Sequence, residues 1–435
     1  MPATYTISND TSPVFKHLLE KLQNIEDTST SSNEINIPGN AKNIPVNVKN
    51  INVMRCPNTQ QEDNEETTTN YTNYKLVNYN QEKMTLPMIG TVGVLKSVLF
   101  TNENKMISFS PPKSQPYEVF SDIFVDIQKL QVEEFIDGTM VSLFWDEQIN
   151  DWDIMTRRKI GANNFYYTYT PNDIQPTFRS MFYDAVNTCN LNIESLDNSN
   201  VYSFVLCHPN NRIITKTSTP QLYLIDVYAI ENIIDNENLS YAITVVNRNN
   251  TIDKEPFKDS GVKTPKQFSF DAYADMMSSL DKLDNDPSIP KGYIIRDTET
   301  GTRTRVVSKL YTHIMTHMKC NYADMRYMYL NLRSEKLLKK YLEYFPEHKD
   351  LFNYYHNLLC DYTHFLFAMY IECYMKKTKP LNTYPSNVRT HMFSIHKIYA
   401  DRNKEKSIDM KDVMTYVNNM DVPLLYSTLF TISNN

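Results

Sequence analysis

Residues 132–161 constrain the fold more than any other stretch. Val132, Phe135 and Ile136 are β-favouring, Asp137-Gly138 is a hairpin-turn dipeptide, and Val141 to Trp145 restart an apolar run. A short polar segment ends at Trp152. Ile154 to Gly161 then reads as a third strand that ends in three consecutive cations, Arg157, Arg158 and Lys159. The pattern predicts a strand, tight turn, strand and strand, with a basic lip that could hold an anion. On the residues alone, the plain reading is a β-meander with a solvated charge run paired to Asp146, Asp151 and Asp153.

Other segments place this sheet in a larger organisation. Ser12 to Leu22 has the spacing of a short amphipathic helix, with Pro13 at its first position. Glu26 to about Asn70 is polar and reads as disordered, so residues 1–85 are expected to be a mostly disordered arm with one helix. Strands are predicted at Val92–Phe100 (with Lys96 inside it), Met106–Phe109, Val201–Leu206, Ile213–Ile214, Leu222–Ile230, Tyr241–Val246 and Gly292–Arg296. Helices are predicted at Glu118–Lys129, Phe178–Cys189 and Phe268–Lys282. Beyond Tyr311 the pattern turns helical over 308–344, 348–376, 386–400 and 408–418, punctuated by Pro346, Pro380, Pro385 and Pro423.

Several function classes are excluded or disfavoured. The net charge of −7 gives no global field for nucleic acid, although the first 70 residues are acidic and 301–350 basic. The six cysteines form no CxxC pair, so neither a zinc knuckle nor a disulfide framework is suggested. No apolar run is long enough to span a bilayer, and no phosphate-loop glycine pattern exists. His313, His317 and Cys320 share one helical face but lack a fourth zinc ligand. Cys207 and His208, as neighbours on a strand, point to opposite faces and make a poor dyad.

Four segments in order carry a family resemblance. Phe135-Ile136-Asp137-Gly138 resembles the end of the Lys-x-Asp-Gly motif of ATP-dependent RNA ligases, with Phe135 at the nucleophilic lysine. Tyr202 to Ile214 is similar to the strand-turn-strand flanking the nucleotide pocket. Lys291-Gly292-Tyr293-Ile294-Ile295 resembles the later Glu-Gly-Tyr-Val-Val motif, and Arg303 to Tyr311 the final Lys-x-Lys segment, with Arg305 and Val307 at the lysines. Ser110 to Ser114, His208 to Arg212 and Tyr344 to Glu347 are similar to segments of RNA-ligase-like proteins of large DNA viruses.

The resemblance implies an α+β fold: a nucleotidyltransferase-like domain of packed antiparallel sheets over 86–312, then an all-α C-terminal domain over 313–435. It implies a nucleotide pocket at Asp137, Gly138, Gly292 and Arg305. The degenerate positions Phe135, Lys291 and Val307 remove the attacking amine, reverse one sign and lose one phosphate contact, so no catalytic residue is assigned. A nucleic-acid wall of Arg157, Arg158, Lys159, Arg212 and Arg303 is expected, with stacking from Tyr166 or Tyr167. The leading expectation is a degenerate ligase-like protein, viral in origin, binding RNA, DNA or viral proteins. No membrane partner, cofactor or metal is expected, and its place is soluble, in host cytoplasm or virion. One alternative is an active RNA or polynucleotide ligase, using ATP and Mg²⁺ with Lys113 or Lys129 as displaced nucleophile; another is a structural virion or scaffold protein. A cavity lined by Asp137, Lys291 and Arg305 would favour ligand binding, and a plugged one the scaffold.

Overall fold

The computed structural model describes residues 2–24, 46–55, 70–166, 175–234, 239–283, 291–318, 324–402 and 406–430. They divide into two units, Met1–Phe165 with Pro176–Thr312, and Tyr166–Gln175 with His313–Asn435. In chain order the first unit contains β1 Thr4–Ser8, α1 Pro13–Asn24, β2 Val46–Arg55, β3 Asn70–Tyr79, β4 Val98–Thr101, β5 Met106–Phe109, α2 Tyr117–Ile123 and β6 Gln131–Glu134. There follow β7 Thr139–Asp146, β8 Asp151–Thr156, β9 Lys159–Ile160, α3 Phe178–Thr188, β10 Asn200–Cys207, β11 Gln221–Ile234 and β12 Leu239–Val246. It closes with α4 Arg248–Ile252, β13 Gln267–Phe268, α5 Tyr273–Leu283, β14 Gly292–Arg296, β15 Arg303–Val307 and α6 Lys309–His313.

Three antiparallel sheets result: β1-β12-β11-β10-β7-β8-β9, β13-β6-β14-β15 and β2-β3-β4-β5. Alternation along β7 sorts its side chains. Val141 and Leu143 pack with Phe182 of α3, while Phe144 joins a core with Phe100, Phe109 and Tyr241. A third core sets Phe120, Met276 and Leu280 against Tyr293 and Ile295 of the small sheet. The second unit is helical: α7 Met325–Ser334, α8 Leu338–Tyr344, α9 Lys349–Tyr370, α10 Ser386–Asp401, α11 Met410–Asn418 and α12 Val422–Phe430. The α+β expectation, antiparallel sheets followed by a helical C-terminal region, agrees with this architecture.

Five expectations need correction. The described part of the N-terminal arm is ordered into the body. β1 pairs with β12 from Thr4↔Thr244 to Ser8↔Ser240, and β2 pairs with β3 along its whole length. Phe15, Leu18, Leu19 and Leu22 of α1 are buried at helical spacing, each contributing roughly 2 kcal/mol as an upper figure. Residues 25–45 and 56–69 lie outside the described residues. Next, Val92–Phe100 is not one strand: a helical turn at Val92–Val94, closed by the Leu95 amide on the Val92 carbonyl at 3.0 Å, precedes β4, and the Gly93 carbonyl accepts from Lys113 N–H at 2.9 Å.

The third correction concerns Asp137-Gly138. This dipeptide turns no hairpin, since β6 and β7 belong to different sheets. It is the crossover between them. Gly138 is needed for close approach instead of a turn conformation: a Cβ there would lie 2.5 Å from the Leu206 carbonyl oxygen. The predicted third strand breaks likewise into β8 and β9, leaving Arg157 and Arg158 at the tip of a turn. Ile213–Ile214 forms no strand, because both backbone amides that follow Ile213 are taken by Asp137.

Candidate functional site

The crossover brings the small sheet beside the large one, and Phe135 lies at the junction. Its amide donates to the Gly292 carbonyl at 2.9 Å, extending β6 by one residue. Its ring meets the edge of Tyr311 at 5.5 Å, and the Arg305 guanidinium lies 5.2 Å from its centroid. The aromatic side chain is thus held by two neighbours at the position of the resemblance's nucleophile.

Two hollows border Phe135 and Ile136. The larger, about 620 Å³, is lined by Lys96, Lys113, Arg303 and Arg305, by Tyr79, and by apolar residues that include Met140, Val205 and Ile294. The smaller, about 270 Å³, contains Asp137, Lys291, Lys263 and the hydroxyl run Thr217-Ser218-Thr219. The trio Asp137, Lys291 and Arg305 therefore does not share one cavity. Phe135 borders both spaces, with Arg305 in the larger and the other two in the smaller.

Backbone hydrogen bonds set the cations of the larger hollow. Arg303 and Arg305, two apart on β15, project to one face. Gln115 N–H donates to the Arg303 carbonyl at 2.7 Å, and Thr304 Oγ1 donates back to Gln115 at 2.8 Å. These bonds fasten the Ser110–Ser114 loop, and with it Lys113, against β15. Ser97 Oγ donates to the Arg157 carbonyl at 3.2 Å, tying the β8–β9 turn to the segment that carries Lys96. The Arg157 guanidinium covers the Tyr79 ring at 4.5 Å, and the Lys113 amine approaches it at 5.8 Å.

The electrostatics are one-sided. Among the described residues, no carboxylate lines the larger hollow. Burial pushes the Lys96 amine down, and Arg303, Arg157, Lys113 and Arg305 push it the same way, to about 7. Burial also lowers Lys113, helped by Arg157 and Arg305. Arg157 Nε and Nη2 are buried without hydrogen-bond partners, as are Nε and Nη1 of Arg303. Arg303 is 7% exposed and stands 3.6 Å from the Asp226 carboxylate, which also binds its cross-strand neighbour Arg296. Burial works against the charge on Asp226, yet the two arginines outweigh it and hold its carboxyl below the usual range.

Asp137 acts as a clamp. Its Oδ2 accepts from the amides of Ile214 (2.8 Å) and Thr215 (2.7 Å), and its Oδ1 from the Tyr311 hydroxyl (2.7 Å). Gly138 lines the larger hollow. Gly292 lies under β15, where a Cβ would be 2.3 Å from the Val306 carbonyl oxygen, and Val307 pairs opposite it. Of the basic set, Arg303 lines the hollow and Arg157 faces its lysines. Arg158 borders a neighbouring hollow of about 510 Å³ with Lys49 and Tyr79; Lys159 is exposed, and Arg212 Nε donates to the Ile214 carbonyl at 2.9 Å. Asp153 pairs with Arg179 at 2.7 Å. Tyr166 is exposed in the second unit, and Tyr167 lies outside the described residues. Lys129 is exposed and paired with Asp126 at 3.3 Å, outside both hollows.

Its structural neighbours are ATP-dependent RNA and DNA ligases. "Naegleria gruberi RNA ligase with PPi" gives a TM-score of 0.33 at 13% identity, covering 48% of this chain and 58% of that one. An archaeal ATP-dependent RNA ligase gives 0.34 at 11%, covering 60% and 59%. A putative ATP-dependent DNA ligase from Aquifex aeolicus gives 0.36 at 12%, covering 79% and 80%. The chain thus spans under two thirds of the length of the two RNA ligases. No protein-family model and no curated protein matches. What the chain does rests on its own residues.

Lys96 was not singled out as a site residue from the sequence. The signal was a single charge inside the apolar run Val92–Phe100, where a lysine must either snorkel to solvent or meet a ligand. Among the described residues no group of three or more His, Cys, Asp or Glu could hold a metal ion, and Cys320 lies outside them. Burial pushes the Cys207 thiol up to about 12, and its sulfur reaches the Asp137 carbonyl, while His208 Nε2 meets Asp184 at 2.9 Å. The two neighbours have separate structural partners. No described helix is long and apolar enough to cross a membrane.

Proposed function

We propose that this chain is a ligase-like protein that does not adenylylate itself and holds phosphate groups of nucleic acid in the cation-lined hollow. The observation that carries the reading is the composition of that hollow. Lys96, Lys113, Arg303 and Arg305 line it without a carboxylate, and Phe135 stands between Arg305 and Tyr311 at the position where an attacking amine would be needed. Phenylalanine has no lone pair for phosphorus. Clustered cations match phosphate oxygens, and Tyr79 offers a ring at the rim. A volume of about 620 Å³ suits a nucleotide unit.

A second reading is favoured by Lys96 itself. An amine lowered to about 7 is largely neutral at pH 8 and could attack the α-phosphorus of ATP, forming an N–P bond and expelling pyrophosphate. Against it, the hollow offers no carboxylate for the divalent ion that such a transfer uses. Incubation with α-labelled ATP and Mg²⁺ or Mn²⁺ separates the two. The first reading expects no acid-labile label on the protein, and a labelled protein would overturn it. The binding half is tested by titrating a fluorescent single-stranded RNA at increasing salt. Affinity should fall with a log–log slope of about −0.7 per phosphate contact, and no binding at low salt would end the nucleic-acid reading.

A further inference from the structure

The same hollow carries a finer inference, which rests on the reading above. We propose that it binds its phosphate ester without a divalent metal, and that Lys96 gains a proton as the ligand enters. The ligand class is a phosphate ester carrying a terminal or chain phosphate, as in a nucleoside triphosphate or the 5′ end of an RNA strand.

The first support is the donor set. Mg²⁺ takes hard oxygen ligands, normally a carboxylate or two, and no described residue of the lining is a carboxylate. Positive side chains fill that role instead. Arg303 reaches the hollow from β15 while 7% exposed, with Nη1 3.6 Å from the Asp226 carboxylate and Nε making no hydrogen bond, and Arg305 approaches from the same face. Lys113 is fixed by its backbone bond to Gly93, and Arg157 lies at the β8–β9 turn. A divalent cation entering this field would be repelled by all of them.

The second support is the position of Lys96. It follows the helical turn at Val92–Val94 and precedes β4, so neighbouring backbone fixes it at the lining. The groups facing it are Arg303 and Arg305 from β15, Arg157 from the β8–β9 turn and Lys113 from the loop after β5. Tyr79 of β3 adds a phenol whose pKa is pushed up by burial, so it stays neutral through this range. With no anion present, these cations and burial disfavour the ammonium. A phosphate supplies the missing negative charge and reverses the balance. Proton uptake on binding follows by linkage.

The magnitude can be worked out. With an amine near 7, about half of Lys96 is charged at pH 7 and about 1% at pH 9. If only the ammonium form binds tightly, affinity falls about fiftyfold between these values. Phosphate itself keeps constant charge there, because its second ionisation lies near pH 6. Lys113 is lowered in the same sense and adds to the fall, so a substitution is needed to isolate the share of Lys96.

The full chain is titrated with ATP, with a 5′-phosphorylated single-stranded RNA and with the same RNA bearing a 5′-hydroxyl, at pH 7 and 9, in EDTA or Mg²⁺. Binding is expected to survive EDTA and to weaken by tenfold or more at pH 9. Lys96→Arg, charged at both values, should lose most of that weakening; Lys96→Met should bind at pH 7 about as poorly as the unmodified protein does at pH 9. Calorimetry in two buffers of different ionisation enthalpy should show uptake of about half a proton at pH 7 in the unmodified protein, which needs no variant to fold. Preference for ATP, or for the 5′-phosphate over the 5′-hydroxyl, supports the site and names the source. Binding that requires Mg²⁺, that takes up no proton, or whose pH dependence persists in Lys96→Arg overturns this inference and leaves the parent reading standing. Failure of every probe at both pH values overturns both.

Discussion

Removing the Asp137 carboxylate separates a clamp from a ligand contact. Asp137→Ala deletes three hydrogen bonds, to Ile214 N, Thr215 N and the Tyr311 hydroxyl. Bonds to a charged acceptor contribute about 1.5–3 kcal/mol each. Asp137 is only half-buried, so water replaces part of the loss and the lower end applies. Ile214 is 6% exposed, which leaves its amide poorly solvated once the carboxylate is gone. The expected cost is about 4–5 kcal/mol for Asp137→Ala and about 1.5 kcal/mol for Tyr311→Phe. In the double variant the Tyr311 bond is already lost, so the two changes should fall short of additivity by about 1–1.5 kcal/mol. Urea unfolding followed by tryptophan fluorescence reads this unit alone, because the only two tryptophans, Trp145 and Trp152, lie in β7 and β8. Asp137→Asn keeps an acceptor for the two amides and should cost about 1 kcal/mol. Since Asp137 does not line the larger hollow, Asp137→Asn should leave RNA affinity within about twofold. Additive costs, or a large loss of RNA affinity in a stably folded Asp137→Asn protein, would refute the clamp.

Other perturbations test neighbouring parts. Gly292→Ala puts a Cβ 2.3 Å from a backbone oxygen and Gly138→Ala one 2.5 Å from another, so each should destabilise by about 2 kcal/mol or more, read as a lowered urea midpoint. Arg305→Ala should weaken RNA binding and flatten the salt slope by about 0.7 if one phosphate contact is lost; an unchanged slope would place the strand elsewhere. Asp226→Asn breaks a buried charge cluster with Arg296 and Arg303 and should cost about 3–5 kcal/mol. Because the folded carboxyl is lowered, its contribution is present above the ordinary Asp range and lost as pH falls through its folded value, so acid unfolding monitors it. For Lys96 the slope has the same sign, but the lowered value reflects a charged form that folding disfavours instead of one it stabilises. Its amine is lowered to about 7, so from there to the ordinary lysine range near 10.4 the unfolded chain holds a proton that the folded one lacks. Ligand-free stability should rise with pH across that window, and Lys96→Met should remove most of the rise, leaving the share of Lys113.

Periodic patterns were legible in the sequence; partnerships were not. The stripe Phe15, Leu18, Leu19, Leu22 announced α1, and the runs at 201–206, 222–230 and 241–246 announced β10, β11 and β12. The C-terminal helices followed from spacing and proline punctuation. Val46 and Val48 alternate with polar residues in β2, but the asparagine-rich surroundings hid so short a period. Asp137-Gly138 misled because a hairpin and a sheet-to-sheet crossover use the same dipeptide. The partners that distinguish them lie far along the chain: β6 pairs with β14, β7 with β10, and the Leu206 carbonyl comes close to Gly138. Lys129 and Lys113 looked equivalent as surface lysines, and only the bond between Lys113 and Gly93 distinguishes them.

The same distinction governs the site. The motif resemblance points to position 135, yet the charge imbalance arises from residues outside that motif: Lys96 before β4, Lys113 after β5 and Arg157 between β8 and β9. The Lys113 amide donates to the Gly93 carbonyl, and the hydroxyl of Ser97, next to Lys96, donates to the Arg157 carbonyl. Clustering like charges costs free energy in the empty protein, and Lys96 yields its proton to relieve part of that cost. Loss of the cluster should therefore stabilise the ligand-free chain while weakening its hold on phosphate. A stability gain in Lys96→Met near pH 7, together with loss of RNA affinity, is the pair of opposite effects that a ligand site produces and a structural charge cluster does not.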